Sequence, residues 1–251
     1  MDNISVNAIY ATYQGEVNVR GIGAPVIFLR LQGCHIRCYK RTLGTLCDTP
    51  EALQKDDSKG MPISMIIEEL IKLRRETGID FICLSGGDPL WREPALLKKL
   101  FSALTTIGFH ISIETSGTIP IAPFFEEDYY NSDAITWVLD YKTKSAGIKN
   151  PFIIGDLHLL TEKDFIKFVL YDDADYKEFL DKVLYLKKMT KAKIAVGPYW
   201  GGKLTFSTIF DYLRRDGLLP HVTMNTQLHK MTTFCELRQG ELTRIEIPKL
   251  I

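Results

Sequence analysis

The chain is predicted to be an α/β protein, with a parallel sheet wrapped by helices. Strand-like apolar runs alternate with helix-like segments between residues 25 and 215, the order that builds such a sheet. The 251 residues are 45% apolar, enough for a full core. Unusual residues fall repeatedly just past strand ends: Cys34, Ser85-Gly86-Gly87-Asp88-Pro89, Glu114-Thr115-Ser116-Gly117-Thr118 and Asp140-Tyr141-Lys142. In parallel α/β folds, function collects at those ends.

The elements follow in order. Pro25-Val26-Ile27-Phe28-Leu29-Arg30-Leu31 is the first strong strand. Residues 65–75 carry Met65, Ile66, Ile67, Leu70, Ile71 and Leu73 at helical spacing. Ser64 is expected to cap that helix, its hydroxyl accepting from a first-turn amide. Residues 80–85 read as a buried strand and 93–106 as a helix. Strands follow at 110–114, 135–139 and 165–170, then a helix at 176–188, a strand at 193–196 and a helix at 204–215. No repeat, low-complexity tract or Pro/Ser-rich linker interrupts the chain. A single domain over 1–251 is expected, with an irregular insertion around 39–62 that carries little periodicity.

Charge and composition exclude several classes. Lys+Arg and Asp+Glu both number 31, so the formal net charge is zero and no nucleic-acid partner is expected. No run of 18 apolar residues exists, so no membrane span is expected. The start, Met1-Asp2-Asn3-Ile4-Ser5, lacks the regions of a signal peptide. A cytoplasmic location follows as an expectation. Five cysteines are odd in number and too few for a disulfide scaffold. In a reducing compartment, clustered thiols read as ligands.

Cys34, Cys38 and Cys47 lie within fourteen residues. A four-iron cluster held by three thiolates leaves one iron open to a small molecule. A structural zinc site closes with four ligands, here through His35 or Asp48. Spacing alone leaves both readings open, along with three unrelated thiols. Cys83, in Phe81-Ile82-Cys83-Leu84, reads as a small buried apolar residue.

Gly86 and Gly87 let a backbone approach a ligand closely, and equally suit an ordinary turn with Asp88 as a cap. Gln14-Gly15-Glu16 fits either a polar heterocycle or a polar turn. Arg30 lies in an apolar strand, and a buried arginine needs a partner. That partner is a substrate carboxylate, gripped by two parallel hydrogen bonds, or a structural mate in Glu16 or Glu114. His229, in Thr226-Gln227-Leu228-His229-Lys230, is a ligand contact or an ordinary histidine.

Taken together, these residues resemble the radical S-adenosylmethionine superfamily and, within it, the 7-carboxy-7-deazaguanine synthase family. The matching motifs are Tyr13-Gln14-Gly15-Glu16, Phe28-Leu29-Arg30-Leu31-Gln32-Gly33-Cys34, Cys47-Asp48-Thr49 and Ser85-Gly86-Gly87-Asp88-Pro89-Leu90. Glu114-Thr115-Ser116-Gly117-Thr118, Asp140-Tyr141-Lys142, Lys167-Phe168-Val169 and Gln227-Leu228-His229-Lys230 continue the match. Three departures stand out. Eight residues separate Cys38 from Cys47, where the superfamily usually has two. Asp88 replaces the usual glutamate after the glycine pair, and Val17 ends the usual Gln-Gly-Glu-Gly.

The resemblance implies an incomplete (β/α) barrel. It implies a [4Fe-4S] cluster on Cys34, Cys38 and Cys47, with S-adenosylmethionine at its open iron and a cofactor-derived radical in place of any catalytic side chain. The implied reaction contracts the ring of 6-carboxy-5,6,7,8-tetrahydropterin, with loss of ammonia, to 7-carboxy-7-deazaguanine for queuosine and other deazapurines. Leu46, Cys47, Asp48, Gly86, Gly87, Asp88, Ser116, Asp140, Tyr141, Lys142, Gly197, Pro198, Tyr199 and Trp200 are implied around the cofactor. Tyr13, Gln14, Gly15, Glu16, Arg30, Ser85 and His229 are implied around the pterin, and Thr49 at Mg²⁺. A homodimer and a flavodoxin or ferredoxin donor are also implied, with Lys40 and Arg41 as a docking pair or simply solvated charges. The rival readings are an activase of a glycyl-radical enzyme and a non-enzymatic zinc-binding interaction module.

Overall fold

The computed structural model describes residues 2–44, 47–125, 132–149 and 151–231, without the side chains of Asp57, Ser132, His229 and Met231. Its strands are β1 (Asn3–Tyr13), β2 (Pro25–Leu31), β3 (Gly60–Pro62), β4 (Phe81–Gly86), β5 (His110–Thr115), β6 (Ile135–Tyr141), β7 (Phe165–Leu170), β8 (Lys193–Pro198) and β9 (Val222–Met224). Its helices are α1 (Lys40–Leu43), α2 (Ile63–Thr77), α3 (Pro94–Thr106), α4 (Asp173–Met189), α5 (Phe206–Arg215) and α6 (Leu228–Met231). The strands form one sheet in the order β3-β1-β2-β4-β5-β6-β7-β8-β9. From β2 to β9 every neighbour is parallel, whereas β1 and β3 are antiparallel. The result is an incomplete (β/α) barrel, as expected.

Side-chain alternation divides each strand between two faces. Ile27, Leu29, Ile82, Leu84, Ile113, Leu139, Ile166 and Phe168 face outward, packing with Leu70, Leu100, Phe179 and Ile209 of the helices. The long helices α2, α3, α4 and α5 cover that face, whereas the short α6 lies at the cavity on the other side. The opposite face begins as an apolar floor of Val26, Phe81 and Cys83, continued by Val17, Val138, Phe165 and Ala195. Further along the same strands the inward residues become polar: Arg30, Ser85, Glu114, Asp140 and Lys167.

Several boundaries differ from expectation. α2 starts at Ile63 behind Pro62, so Ser64 lies inside the first turn and caps nothing. α4 starts at Asp173 because the Asp172 carboxylate accepts from the amides of Ala174 and Asp175 at 3.1 and 3.3 Å. α5 starts at Phe206, with Thr205 capping through the Thr208 amide at 3.1 Å. The insertion is not irregular throughout: α1 lies within it, and β3 ends it by pairing with β1. Among the described residues no helix is long and apolar enough to cross a membrane.

Candidate active site

The thiol wall is built where β2 ends. Gly33 turns out of the strand at φ 105°, a conformation that favours glycine. Its amide donates to the Ala52 carbonyl at 2.8 Å, and the Cys34 amide to Leu53 at 3.1 Å. The Arg37 guanidinium then folds the loop by donating to the carbonyls of Cys34 and Ile36 at 2.7 and 2.8 Å. The amide of Tyr39, at φ 65°, donates to Ala146 at 2.8 Å.

The β4 turn packs directly behind this loop. A Cβ on Gly86 would sit on the Leu31 carbonyl, and one on Gly87 on the Gly33 carbonyl. Only glycine permits that approach. Asp88 does not reach the cavity. It is 0% exposed and accepts from the Leu90 amide at 3.1 Å, the Thr115 hydroxyl at 2.9 Å, the Ser116 amide at 3.3 Å and the Ser116 hydroxyl. It therefore ties the β4 turn to the β5 turn, which corrects the expected cofactor contact. Arg92 braces the same knot, donating to the Asp88 carbonyl at 2.9 Å and to that of Gln32.

Cys34, Cys38 and Cys47 line one cavity with these glycines. Burial pushes the Cys34 thiol up to about 11 and the Cys47 thiol up to about 12, and raises Cys38 in the same direction. Lys142 is the cation that pulls all three partly back. Three soft sulfur donors on one wall, with a cation beside them, fit an iron–sulfur cluster in chemistry and number. Among the described residues no three His, Cys, Asp or Glu groups are gathered around a single ion position.

The polar layer forms the rest of the cavity. Lys167 and Asp140 are paired across β6 and β7. The Lys167 ammonium contacts Glu16, and Asp140 Oδ2 at 3.5 Å. Lys142 reaches the same Asp140 oxygen at 2.9 Å. Burial opposes the charge on Lys167 and Lys142, but their carboxylate neighbours outweigh it and both pKa values move up. Glu114 accepts from Gln14 Nε2 at 2.7 Å; burial raises its carboxyl, and Lys167 only partly offsets this. Gln14 Oε1 is buried and accepts no hydrogen bond. Arg30 is 6% exposed, lies 5.1 Å over the Phe28 ring and approaches Glu51 at 3.5 Å. Its carboxylate neighbour is thus Glu51, rather than Glu16 or Glu114. The Lys230 ammonium meets Asp48 at 3.0 Å, joining α6 to the thiol loop.

Most expected residues meet at this cavity. Tyr13, Gln14, Gly15, Glu16, Arg30 and Ser85 line it, as do Asp48, Thr49, Gly86, Gly87, Ser116, Asp140, Lys142 and Tyr199. Tyr141, Gly197, Pro198 and Trp200 do not. Tyr141 has the outward phase of β6, stacking on Phe168 at 4.6 Å and donating to Glu178 at 3.2 Å. Gly197 is needed where β8 meets the Asn225 carbonyl, Pro198 pairs with Leu170, and Trp200 is 50% exposed. Leu46 lies outside the described residues, as does the His229 side chain. Glu114, Lys167, Tyr39, Gln227 and Lys230 line the cavity without having been expected there. The signal that singled out Arg30, a charge inside an apolar strand, also marks Lys167 and Glu114.

Comparison with known proteins gives the chain its family. It is 30% identical over 228 residues to the 7-carboxy-7-deazaguanine synthase of Methanospirillum hungatei JF-1, covering 90% of this chain and 84% of the relative. The chain belongs to the 7-carboxy-7-deazaguanine synthase family. The synthase of Clostridium acetobutylicum is 29% identical, over 86% of this chain and 91% of its own. The crystal structure of QueE from Escherichia coli shares the fold with a TM-score of 0.67 at 18% identity, over 90% of this chain and 95% of that one. No family profile matches the chain. Family membership places the thiol wall and polar layer within a radical S-adenosylmethionine fold.

Proposed function

We propose that this chain converts 6-carboxy-5,6,7,8-tetrahydropterin to 7-carboxy-7-deazaguanine and ammonia, within queuosine or related deazapurine synthesis. The observation that carries this reading is the shared cavity, lined by Cys34, Cys38 and Cys47 together with Gln14, Glu16, Arg30, Glu114 and the close-packed Gly86-Gly87 turn.

Cys34, Cys38 and Cys47 would hold a [4Fe-4S] cluster, and Lys142 tempers the cost of three buried thiolates. When bound, cluster and S-adenosylmethionine together supply one-electron reduction and hydrogen-atom abstraction. Gly86 and Gly87 offer backbone polar groups at the wall without side-chain bulk. Ser116, Asp140 and Lys142 offer hydroxyl, acceptor and donor groups for the nucleoside. Arg30 offers a guanidinium to the pterin carboxylate, since its Glu51 contact is long and Glu51 is largely solvated. Glu16, Glu114 and the free acceptor on Gln14 suit the donor edge of a pterin ring. The apolar floor below keeps water from the reacting ring.

Thr49 is the proposed contact for Mg²⁺. It does not form a cage, because Asp48 beside it is already matched by Lys230. Water and substrate oxygens would complete the shell, and no step is assigned to the ion. A flavodoxin or ferredoxin is the proposed donor, and a homodimer the proposed assembly.

The test is anaerobic reconstitution with iron and sulfide, then reaction with S-adenosylmethionine, reductant and the tetrahydropterin. The expected product is 7-carboxy-7-deazaguanine. Cluster-loaded protein that cleaves S-adenosylmethionine but leaves the pterin unchanged overturns the reading in favour of an activase.

A further inference from the structure

We propose that Lys167 is a positioning residue of the substrate chamber, holding the Glu16 carboxylate as an acceptor for the bound heterocycle. This rests on the function proposed above and goes beyond it in assigning a group that acts through another.

Lys167 sits in the middle of β7, inward among Phe165, Val169 and the apolar floor. It is 5% exposed and Glu16 is 8% exposed, so each has little water to replace the other. Glu16 lies on the connection between β1 and β2, not on a strand. Around it that connection is held by Val17 N donating to Asn225 Oδ1 at 2.9 Å and Leu228 N donating to Gly15 at 2.8 Å. Neither bond touches the Glu16 carboxylate. Lys167 does.

The charged and titratable surroundings come from β2, β4, β5, β6 and β7, while β8 sets only Ala195 beside Lys167 and Lys230 of α6 is turned to Asp48. β5 contributes Glu114, β6 contributes Asp140 with Lys142 behind it, and β7 contributes Lys167 itself. β4 adds the Cys83 thiol, and Arg30 of β2 is directed toward Glu51. Three carboxyl groups thus surround one ammonium, and of these three Lys142 pairs with Asp140. Removing the ammonium leaves Glu16 buried without its cation. A buried carboxylate in that position takes up a proton. A protonated carboxyl carries a donor where the ligand needs an acceptor.

The test measures the dissociation constant of 6-carboxy-5,6,7,8-tetrahydropterin on anaerobic, cluster-loaded protein with S-adenosylmethionine, between pH 6 and 7.5. Wild type should bind with little pH dependence. Lys167→Met should bind at least tenfold more weakly at pH 6, and recover as pH rises and Glu16 loses its proton. Lys167→Arg should restore the flat profile. Lys167→Met/Glu16→Gln should be flat again, because an amide has nothing to titrate. A Lys167→Met affinity equal to wild type, or lowered uniformly across pH as by a purely structural defect, overturns the proposal. Should Lys167→Met fail to fold, wild-type affinity in both Lys167→Arg and Glu16→Gln overturns it. Wild-type protein that binds no pterin overturns the function proposed above, a result distinct from either.

Discussion

Replacing Asp88 with alanine separates a brace from a ligand. The carboxylate is fully enclosed and accepts four hydrogen bonds, from Leu90, Thr115 and twice from Ser116. Each contributes about 1 kcal/mol net, and the enclosed donors left behind lose a partner with no water to replace it. The sum is about 4 kcal/mol, a large part of the stability of an ordinary domain. For a chain of this size that lowers the melting temperature by about 8–16 °C. Asp88→Asn keeps the shape but turns one acceptor oxygen into a donor, so about half the loss is expected. Asp88→Glu introduces the acid usual in this family, yet its extra methylene has no space and costs about 1–3 kcal/mol. The assay is thermal and urea unfolding of cluster-free protein, beside S-adenosylmethionine affinity of the loaded form. Asp88→Ala melting within about 2 °C of wild type, with S-adenosylmethionine affinity lost, refutes the reasoning and returns Asp88 to the cofactor.

Two further outcomes follow from the same wall. Gly87→Ala drives a methyl into the Gly33 carbonyl and within 2.6 Å of Ala52 O, and is expected to cost about 1–3 kcal/mol and lower iron incorporation; full iron content with wild-type melting would contradict it. In cluster-free protein at pH 8, thiols raised from 9.0 to about 11 at Cys34 and about 12 at Cys47 hold about a hundredth and a thousandth of the ordinary thiolate. Iodoacetamide labelling read by mass spectrometry should be slow at both and accelerate as pH climbs, and rapid labelling at pH 8 would refute burial as the controlling effect. The stability sign is the same: these thiols hold protons more tightly when folded, so their contribution is present below pH 9 and is lost as pH rises through about 11–12.

The parallel strands were legible because burial on both faces makes them near-continuous apolar runs. β2 and β7 occur at the residues expected, 25–31 and 165–170. β1 was not foreseen, since past the buried Ile4 and Val6 its residues on both faces are only partly buried and its composition is mixed. β3 and β9 are three residues each and exist through their neighbours. At the site, motifs located the right turns but not which side chains face inward. Tyr141 and Asp140 are adjacent in sequence and point to opposite faces. Applying the two-residue period to the end of β6 would have removed Tyr141, and applying the Arg30 argument to 165–170 would have added Lys167.

The polar layer bears on why this interior is arranged as it is. Buried ion pairs seldom stabilise a fold, because desolvation offsets most of their attraction, and apolar residues of similar size often do as well or better. The same interior shows that apolar residues fit: Val138 lies two positions before Asp140, and Phe165 two before Lys167, both packed into the floor. The strands therefore accept either kind of side chain on this face. Three acids and two lysines gathered around one cavity are not what packing alone would select. Their position follows the ligand, and the fold supplies the surrounding stability through its outer, helix-covered face.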